Sequence, residues 1–239
     1  MKRTGVVNGR FQVLHLKHME YILAAKMRCG KLYIGLTNPD SLHTRESVND
    51  ANRSAKYANP LTYFERYEMI RGAMAEFRVP ESEYDILPFP INCPEYIPQY
   101  APKDAVFYMG LCDEWDEEKY KILRSLGLEV EVLWRKPPEE KGVTSSWVRS
   151  CIATDQEWAH LVPKSVYAYL TEHHLDEQRL ALQELLALAE QQMKEAGAFK
   201  EYTGEFWTAP ETRPYMRVRY TYFDVLISCG MMRQAISEG

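Results

Sequence analysis

Two histidines stand three residues apart in the stretch Gly9-Arg10-Phe11-Gln12-Val13-Leu14-His15-Leu16-Lys17-His18. The short apolar run from Thr4 to Val7 precedes it, and an apolar-periodic segment follows. A buried strand that breaks at a glycine and re-enters a helix here would set main-chain N–H groups and two imidazoles at one helix N-terminus. That is a place for phosphates. A second group of the same kind lies far downstream, at Lys141-Gly142-Val143-Thr144-Ser145-Ser146-Trp147-Val148-Arg149. The hydroxyls of Thr144, Ser145 and Ser146 can cap a helix whose first N–H groups face outward. Arg149 lies one turn inside, on the face of Ser145 and Ser146 by i, i+3 and i+4 spacing.

Other chemistries fit these residues less well. Two histidines on a helix could hold zinc, but metal pairs usually sit at i, i+4 and need further ligands that the chain does not offer nearby. No protein-held metal site is therefore expected. The acidic run Asp113-Glu114-Trp115-Asp116-Glu117-Glu118 invites a magnesium reading, yet charges ahead of a helix more often act as partners of its N-terminal dipole.

The elements that must carry these groups alternate. Val6-Val7, Lys31 to Gly35, Tyr84 to Leu87, Ala105 to Tyr108 and Glu129 to Leu133 are short runs rich in Val, Ile, Tyr and Leu. Between them lie helical patterns at Lys17 to Met27, Leu61 to Phe77 and Glu114 to Leu126. Such alternation predicts an α/β fold: a Rossmann-like parallel sheet with right-handed crossovers and helices on both faces. Ligands of open parallel sheets sit at the carboxyl ends of the strands, where strand order reverses. The loops after Gly9 and at Thr37-Asn38 would open on that edge.

After His173-His174 the composition changes. Leu175 to Gly197 is dense in Leu, Ala, Glu and Gln, the pattern of an amphipathic helix ending at Gly197. Phe206-Trp207 and the periodic segment Val218 to Cys229 follow. The expected division is an α/β domain over residues 1–175 and a helical extension over 176–239. An apolar helical face needs a cover, so the tail is expected to pack on the first domain or on another chain. A homo-oligomer formed through these helices is one expectation.

At 239 residues, 46% hydrophobic and 26% charged, the chain can bury one full-sized core and a small second one. A net charge of -5 argues against a general nucleic-acid binder. With no secretory leader pattern and no apolar run of about 18 residues, neither a membrane nor export is expected, and the cytoplasm is the expected compartment. Five widely spaced cysteines form no CxxC pair, so they are expected to be reduced.

His15-Leu16-Lys17-His18 resembles the HxGH signature of the nucleotidyltransferase superfamily of adenylyl- and cytidylyltransferases. Gly9-Arg10-Phe11-Gln12 looks most like the archaeal-type nicotinamide mononucleotide adenylyltransferases. Thr144 to Arg149 resembles the superfamily's ISSTxxR-type element after the last strand. Asn59-Pro60-Leu61-Thr62-Tyr63-Phe64-Glu65-Arg66-Tyr67 resembles its (N/D)PFTxxER helix start, where Thr62 can cap and Glu65 complete a capping box. The tail is weakly similar to tetratricopeptide-like helices.

The resemblance implies transfer of a nucleoside monophosphate from a nucleoside triphosphate to a small anionic, phosphate-bearing acceptor, with release of pyrophosphate. It assigns His15, His18 and Arg149 as catalytic. Gly9, Arg10, Phe11, Gln12, Thr144, Ser145 and Ser146 would hold the nucleotide, and Mg2+ would accompany the triphosphate. Acceptor candidates are Asn38, Arg45, Arg53, Asn92, Tyr96, Trp134 and Arg135. Arg45, Arg53 and Lys56 fall in the polar stretch from Thr37 to Pro60, too long to be idle in a compact domain.

Three departures stand out. Lys17 replaces the signature glycine, either adding a cation or pointing to solvent. Pro94-Glu95-Tyr96 occupies the region of an aromatic LW pair, and Tyr108-Met109-Gly110-Leu111 replaces an SGN segment. Nicotinamide or nicotinate mononucleotide adenylyl transfer is the leading expectation. The rival is a CTP-dependent cytidylyltransferase for a small phosphonate or phosphorylated alcohol. A non-catalytic nucleotide-binding protein with an interaction tail is a third reading, opposed by the intact His15, His18 and Arg149.

Overall fold

The structure, a computed structural model, describes residues 3–39, 58–140, 142–203, 206 and 209–228. Arg45, Arg53, Lys56, Trp207 and Cys229 lie outside the described residues.

The five apolar runs become strands β1 (Thr4–Gly9), β2 (Lys31–Leu36), β3 (Tyr84–Pro88), β4 (Val106–Leu111) and β5 (Glu129–Arg135). They form one sheet in the order β3-β2-β1-β4-β5, each parallel to its neighbours. Parallel neighbours need crossovers. Helix α1 (Leu16–Lys26) joins β1 to β2, α2 (Tyr63–Glu76) lies between β2 and β3, short α3 (Ile97–Tyr100) lies between β3 and β4, and α4 (Glu114–Ser125) joins β4 to β5. The expected Rossmann-like architecture is the one observed. β1 is central, and its Val6 and Val7 are completely buried. From β1 the chain steps outward to β2 and β3, then returns to the other side of β1 as β4. The switch in strand order therefore falls at the carboxyl ends of β1 and β4, where such a sheet leaves a crevice.

Local chemistry fixes where the helices begin. Thr62 Oγ1 accepts the Glu65 N–H at 3.2 Å while Glu65 Oε2 accepts the Thr62 N–H at 2.7 Å, the expected reciprocal cap of α2. The acidic run opens α4: Asp113 Oδ1 accepts the Asp116 N–H at 2.9 Å, and Asp116 Oδ2 accepts the Cys112 N–H at 3.0 Å.

The described residues pack as two compact units, the first within residues 1–148 and 158–169, the second within 149–157 and 170–239. In the first, Phe89, Ile97, Phe107, Met109 and Leu123 form part of a buried cluster beside the sheet. Helices α5 (Ser145–Ala153) and α6 (Lys164–Glu172) follow the last strand. A π-helical turn, Asp176–Ala181, leads into α7 (Leu182–Glu195), then α8 (Ala198–Glu201) and α9 (Arg213–Ser228). The helix expected to reach Gly197 stops at Glu195, and Gly197 takes the left-handed conformation that ends it, φ 69°. Leu186, Met193, Tyr215, Tyr222 and Leu226 form the apolar centre of the second unit. Cys29, Cys93, Cys112 and Cys151 are unbridged thiols. Among the described residues no helix is long and apolar enough to cross a membrane.

Candidate active site

At the end of β1 the chain folds back beneath its own aromatic side chain. A Cβ on Gly9 would stand 2.7 Å from the Phe11 ring, so a glycine is required for this approach. Phe11 is 1% exposed and meets the His18 ring edge-on at 4.9 Å. His15 is the N-cap of α1. Its Nδ1 accepts the His18 N–H at 3.4 Å, and the His18 Nδ1 accepts the His15 N–H at 3.4 Å. The two rings stack with centroids 3.6 Å apart. An imidazole that accepts at Nδ1 carries its proton on Nε2. Both rings are thereby oriented as Nε2–H donors at a helix N-terminus.

The second phosphate-type element docks on the first. Ser145 Oγ donates to the Val13 carbonyl at 3.0 Å, and Thr144 Oγ1 caps the first turn of α5 by accepting the Trp147 N–H at 3.2 Å. A cavity of about 410 Å³ opens between them, within the first unit and in the size range of small-molecule sites. Gly9, Arg10, Phe11, His15 and His18 form one wall, with Thr144, Ser145 and Ser146 facing it. Asn38, Asn92 and Trp134 are among the residues that line the remainder. Asn92 Nδ2 donates to Asn38 Oδ1 at 3.0 Å, and Asn38 Nδ2 donates to Asn59 Oδ1 at 3.1 Å, an amide chain at one end of the cavity. At the other end Trp134 lies against β4, where a Cβ on Gly110 would stand 2.5 Å from its Nε1.

Behind the wall, Arg66 holds three segments together. Its guanidinium, 1% exposed, donates to the carbonyls of Thr62 (3.2 Å), Arg10 (3.0 Å), Thr37 (2.7 Å) and Asn38 (2.8 Å). Burial draws its pKa down to about 10, which leaves it charged at neutral pH. Gln12 exchanges two hydrogen bonds with the main chain of Leu61, at 2.9 and 2.8 Å. It braces the loop from behind.

Two more expected residues point elsewhere. Tyr96 is 42% exposed and is not among the residues of the cavity wall, and Arg135 pairs with Glu117 on the surface. Arg149 is buried in the second unit, where its Nε donates to Glu184 Oε2 of α7 at 3.1 Å.

A cradle of helix starts, Nε2–H donors and hydroxyls at a strand-order switch suits transfer on phosphate. Residues 6–151, more than half the chain, match the cytidylyltransferase-like family. The chain belongs to that family. It is a nucleotidyltransferase. It is 43% identical over 174 residues to a phosphonoformate cytidylyltransferase of Streptomyces viridochromogenes, covering 73% of this chain and 94% of that one. It is 29% identical over 175 residues to a nicotinamide-nucleotide adenylyltransferase of Saccharolobus solfataricus, covering 70% and 90%. Among solved structures, a bifunctional NMN adenylyltransferase/ADP ribose pyrophosphatase from Francisella tularensis shares the fold at a TM-score of 0.58 and 12% identity. That match covers 82% of this chain, which spans only 57% of the Francisella protein.

For this cytidylyltransferase-like chain, sequence reasoning missed several wall residues: Glu20, Tyr21, Trp115, Lys119 and Lys136. The signal for Lys136 was present, because strand alternation puts Trp134 and Lys136 on one face and Arg135 on the other. Tyr21 also had a signal, since it lies at i+3 from His18 on α1. Its hydroxyl donates to the Tyr108 carbonyl at 2.7 Å, and burial pushes its pKa up, so it keeps its proton.

Proposed function

We propose that this nucleotidyltransferase moves CMP from CTP to a small phosphonate. The observation that carries the reading is the 43% identity to the phosphonoformate cytidylyltransferase along 94% of that relative, against 29% to the nicotinamide-nucleotide adenylyltransferase. The acceptor end of the cavity agrees with it. Asn38 and Asn92 offer amide groups suited to a compact polar anion, while Tyr96, an expected stacking partner for a pyridine ring, is exposed.

In this reading the acceptor oxyanion attacks the α-phosphorus in line and pyrophosphate departs, with no covalent enzyme intermediate. The protein aligns the two reactants and meets charge as it develops. The Nε2–H groups of His15 and His18 donate to the phosphate oxygens, with the main-chain amides at Gly9 to Phe11 beside them. Ser145 and Ser146 hold the β- and γ-phosphates at the start of α5.

A divalent metal, Mg2+ in this reading, neutralises the triphosphate. Among the described residues no three His, Cys, Asp or Glu side chains gather to hold a metal. Of the three carboxylates on the wall, Glu20, Asp116 and Glu140, the first two are each paired to a lysine. That donor set suits an ion carried by phosphate oxygens and water.

The test is a matrix of CTP, ATP, GTP and UTP against phosphonoformate, other small phosphonates and nicotinamide mononucleotide, reading pyrophosphate release. CTP with a small phosphonate should exceed ATP with the mononucleotide by at least a hundredfold in kcat/KM. The reverse order would replace the cytidylyl reading with the adenylyl one.

A further inference from the structure

The position where the resemblance expects a glycine is Lys17, the second residue of α1 and the immediate neighbour of His18. Its side chain spans the space between the two phosphate-type elements. A Cβ on Gly142, in the loop that leads into α5, would stand 3.3 Å from Lys17 Cε, 3.7 Å from Cγ and 3.9 Å from Cδ. The lysine stem therefore lies over Gly142, and Lys17 lines the cavity together with His18, Thr144, Ser145 and Ser146. At the end of the stem, Lys17 Nζ stands 2.6 Å from Glu20 Oε2, three residues along α1. Both side chains are close to half exposed, 45% and 46%.

We propose that Lys17 is a polyphosphate-binding residue of this enzyme, resting on Glu20 and exchanging it for the β- and γ-phosphates of the nucleoside triphosphate. The inference rests on the reading that this cavity takes that triphosphate. Three observations support it. The stem crosses between the starts of two helices, so an ammonium released from Glu20 adds its charge to theirs on one set of anionic oxygens. An ion pair this exposed contributes little, and several phosphate oxygens outbid one carboxylate for a flexible three-donor cation. Glu20 also sits in a cationic setting: the hydrogen bond from Lys17 is the largest influence on its carboxyl and holds it below the usual range, with Lys136 of the same wall adding to the effect. A carboxylate in that setting stays charged and gives Lys17 a partner within its own helix turn.

The experiment uses the full chain and two probes, magnesium pyrophosphate and CMP, with binding followed by calorimetry. Lys17→Met keeps the stem over Gly142 and removes only the charge. It should raise the Kd for pyrophosphate about tenfold while leaving that for CMP within twofold. Glu20→Gln leaves the cation without its resting partner and should lower the pyrophosphate Kd at least twofold. Equal weakening of both probes by Lys17→Met would make the residue a strut for α1 and overturn the proposal. Weaker pyrophosphate binding in Glu20→Gln would overturn the exchange. His18→Ala, run in parallel for transfer, separates the two levels. If it abolishes transfer while Lys17→Met binds pyrophosphate as wild type does, the Lys17 proposal alone falls. If His18→Ala transfers normally, the reading of the cavity falls with it.

Discussion

Each imidazole of the His15-His18 pair spends Nδ1 on the other's main-chain N–H, so in the proposed reaction Nε2 is the donor to phosphate. A glutamine could imitate the cap but not the stacked ring, and an alanine removes both. His18→Ala should therefore lower kcat by about two to four orders of magnitude, because the lost donor acts chiefly on charge that appears in the transition state. Steady-state pyrophosphate release measures it, and turnover within threefold of wild type would remove His18 from the mechanism. The histidines and the Thr144-Ser145-Ser146 group were legible in the chain because a helix cap is written in adjacent residues. Gln12 was not. Its partner Leu61 lies 49 residues away, so a side chain within a phosphate-type segment turned out to brace that segment.

Among elements, α2 does the most to shape the cradle. Arg66 reaches from its first turn to the loop after β1 and the end of β2, and its planar fork fits carbonyls that a lysine ammonium could not reach together. Arg66→Met should cost about 3 kcal/mol in urea unfolding, since buried carbonyls lose their donor, and Arg66→Lys should recover less than half of that. An unchanged midpoint for Arg66→Met would show that the guanidinium only fills space. The same helix ends at Glu76, whose carboxylate accepts the Ser165 N–H at 2.8 Å and the Lys164 N–H at 3.2 Å at the start of α6. Burial raises its pKa, but those amides outweigh it and hold the pKa below the usual 4.5. A depressed carboxylate stabilises the fold above its unfolded value, and the gain disappears as pH falls through the lower folded value. Glu76→Gln should thus be less stable than wild type by about 0.5 to 1 kcal/mol at pH 7, with the gap closing below pH 4.5. A gap that persists in acid would rule out the charge as its source.

The elements themselves were legible because alternating β-rich and helical runs of these lengths leave few topologies. What the pattern did not contain was register. The shift between β4 and β5 at Met109/Gly110, which sets Trp134 opposite Gly110, depends on packing between strands distant in sequence.

For the whole molecule, ligand binding and stability are linked. A triphosphate at a hundred times its Kd should add about 2.7 kcal/mol, which for a chain of this size raises Tm by roughly 5 to 10 °C. CTP should give that shift in a thermal scan and ATP at the same concentration less than a third of it. Equal shifts would mean that the cavity reads only phosphates. The layout of the two units was less visible in the sequence. A change in composition marks one point along a chain, whereas, among the described residues, 149–157 group with those from 170 onward and 158–169 belong to the unit that holds the sheet.

The hydrogen bond from Ser145 to Val13 joins residues 132 positions apart. At a synthesis rate of about 5 to 20 residues per second, the histidine loop waits roughly 7 to 26 seconds on the ribosome before its counterpart exists. No shorter piece of the chain contains a finished cradle, so a nucleotide has nothing to grip until the last strand and α5 are in place. It then acts as a latch on a completed object and not as a mould for an unfinished one. Added nucleotide should slow the unfolding of this enzyme while leaving its rate of refolding untouched.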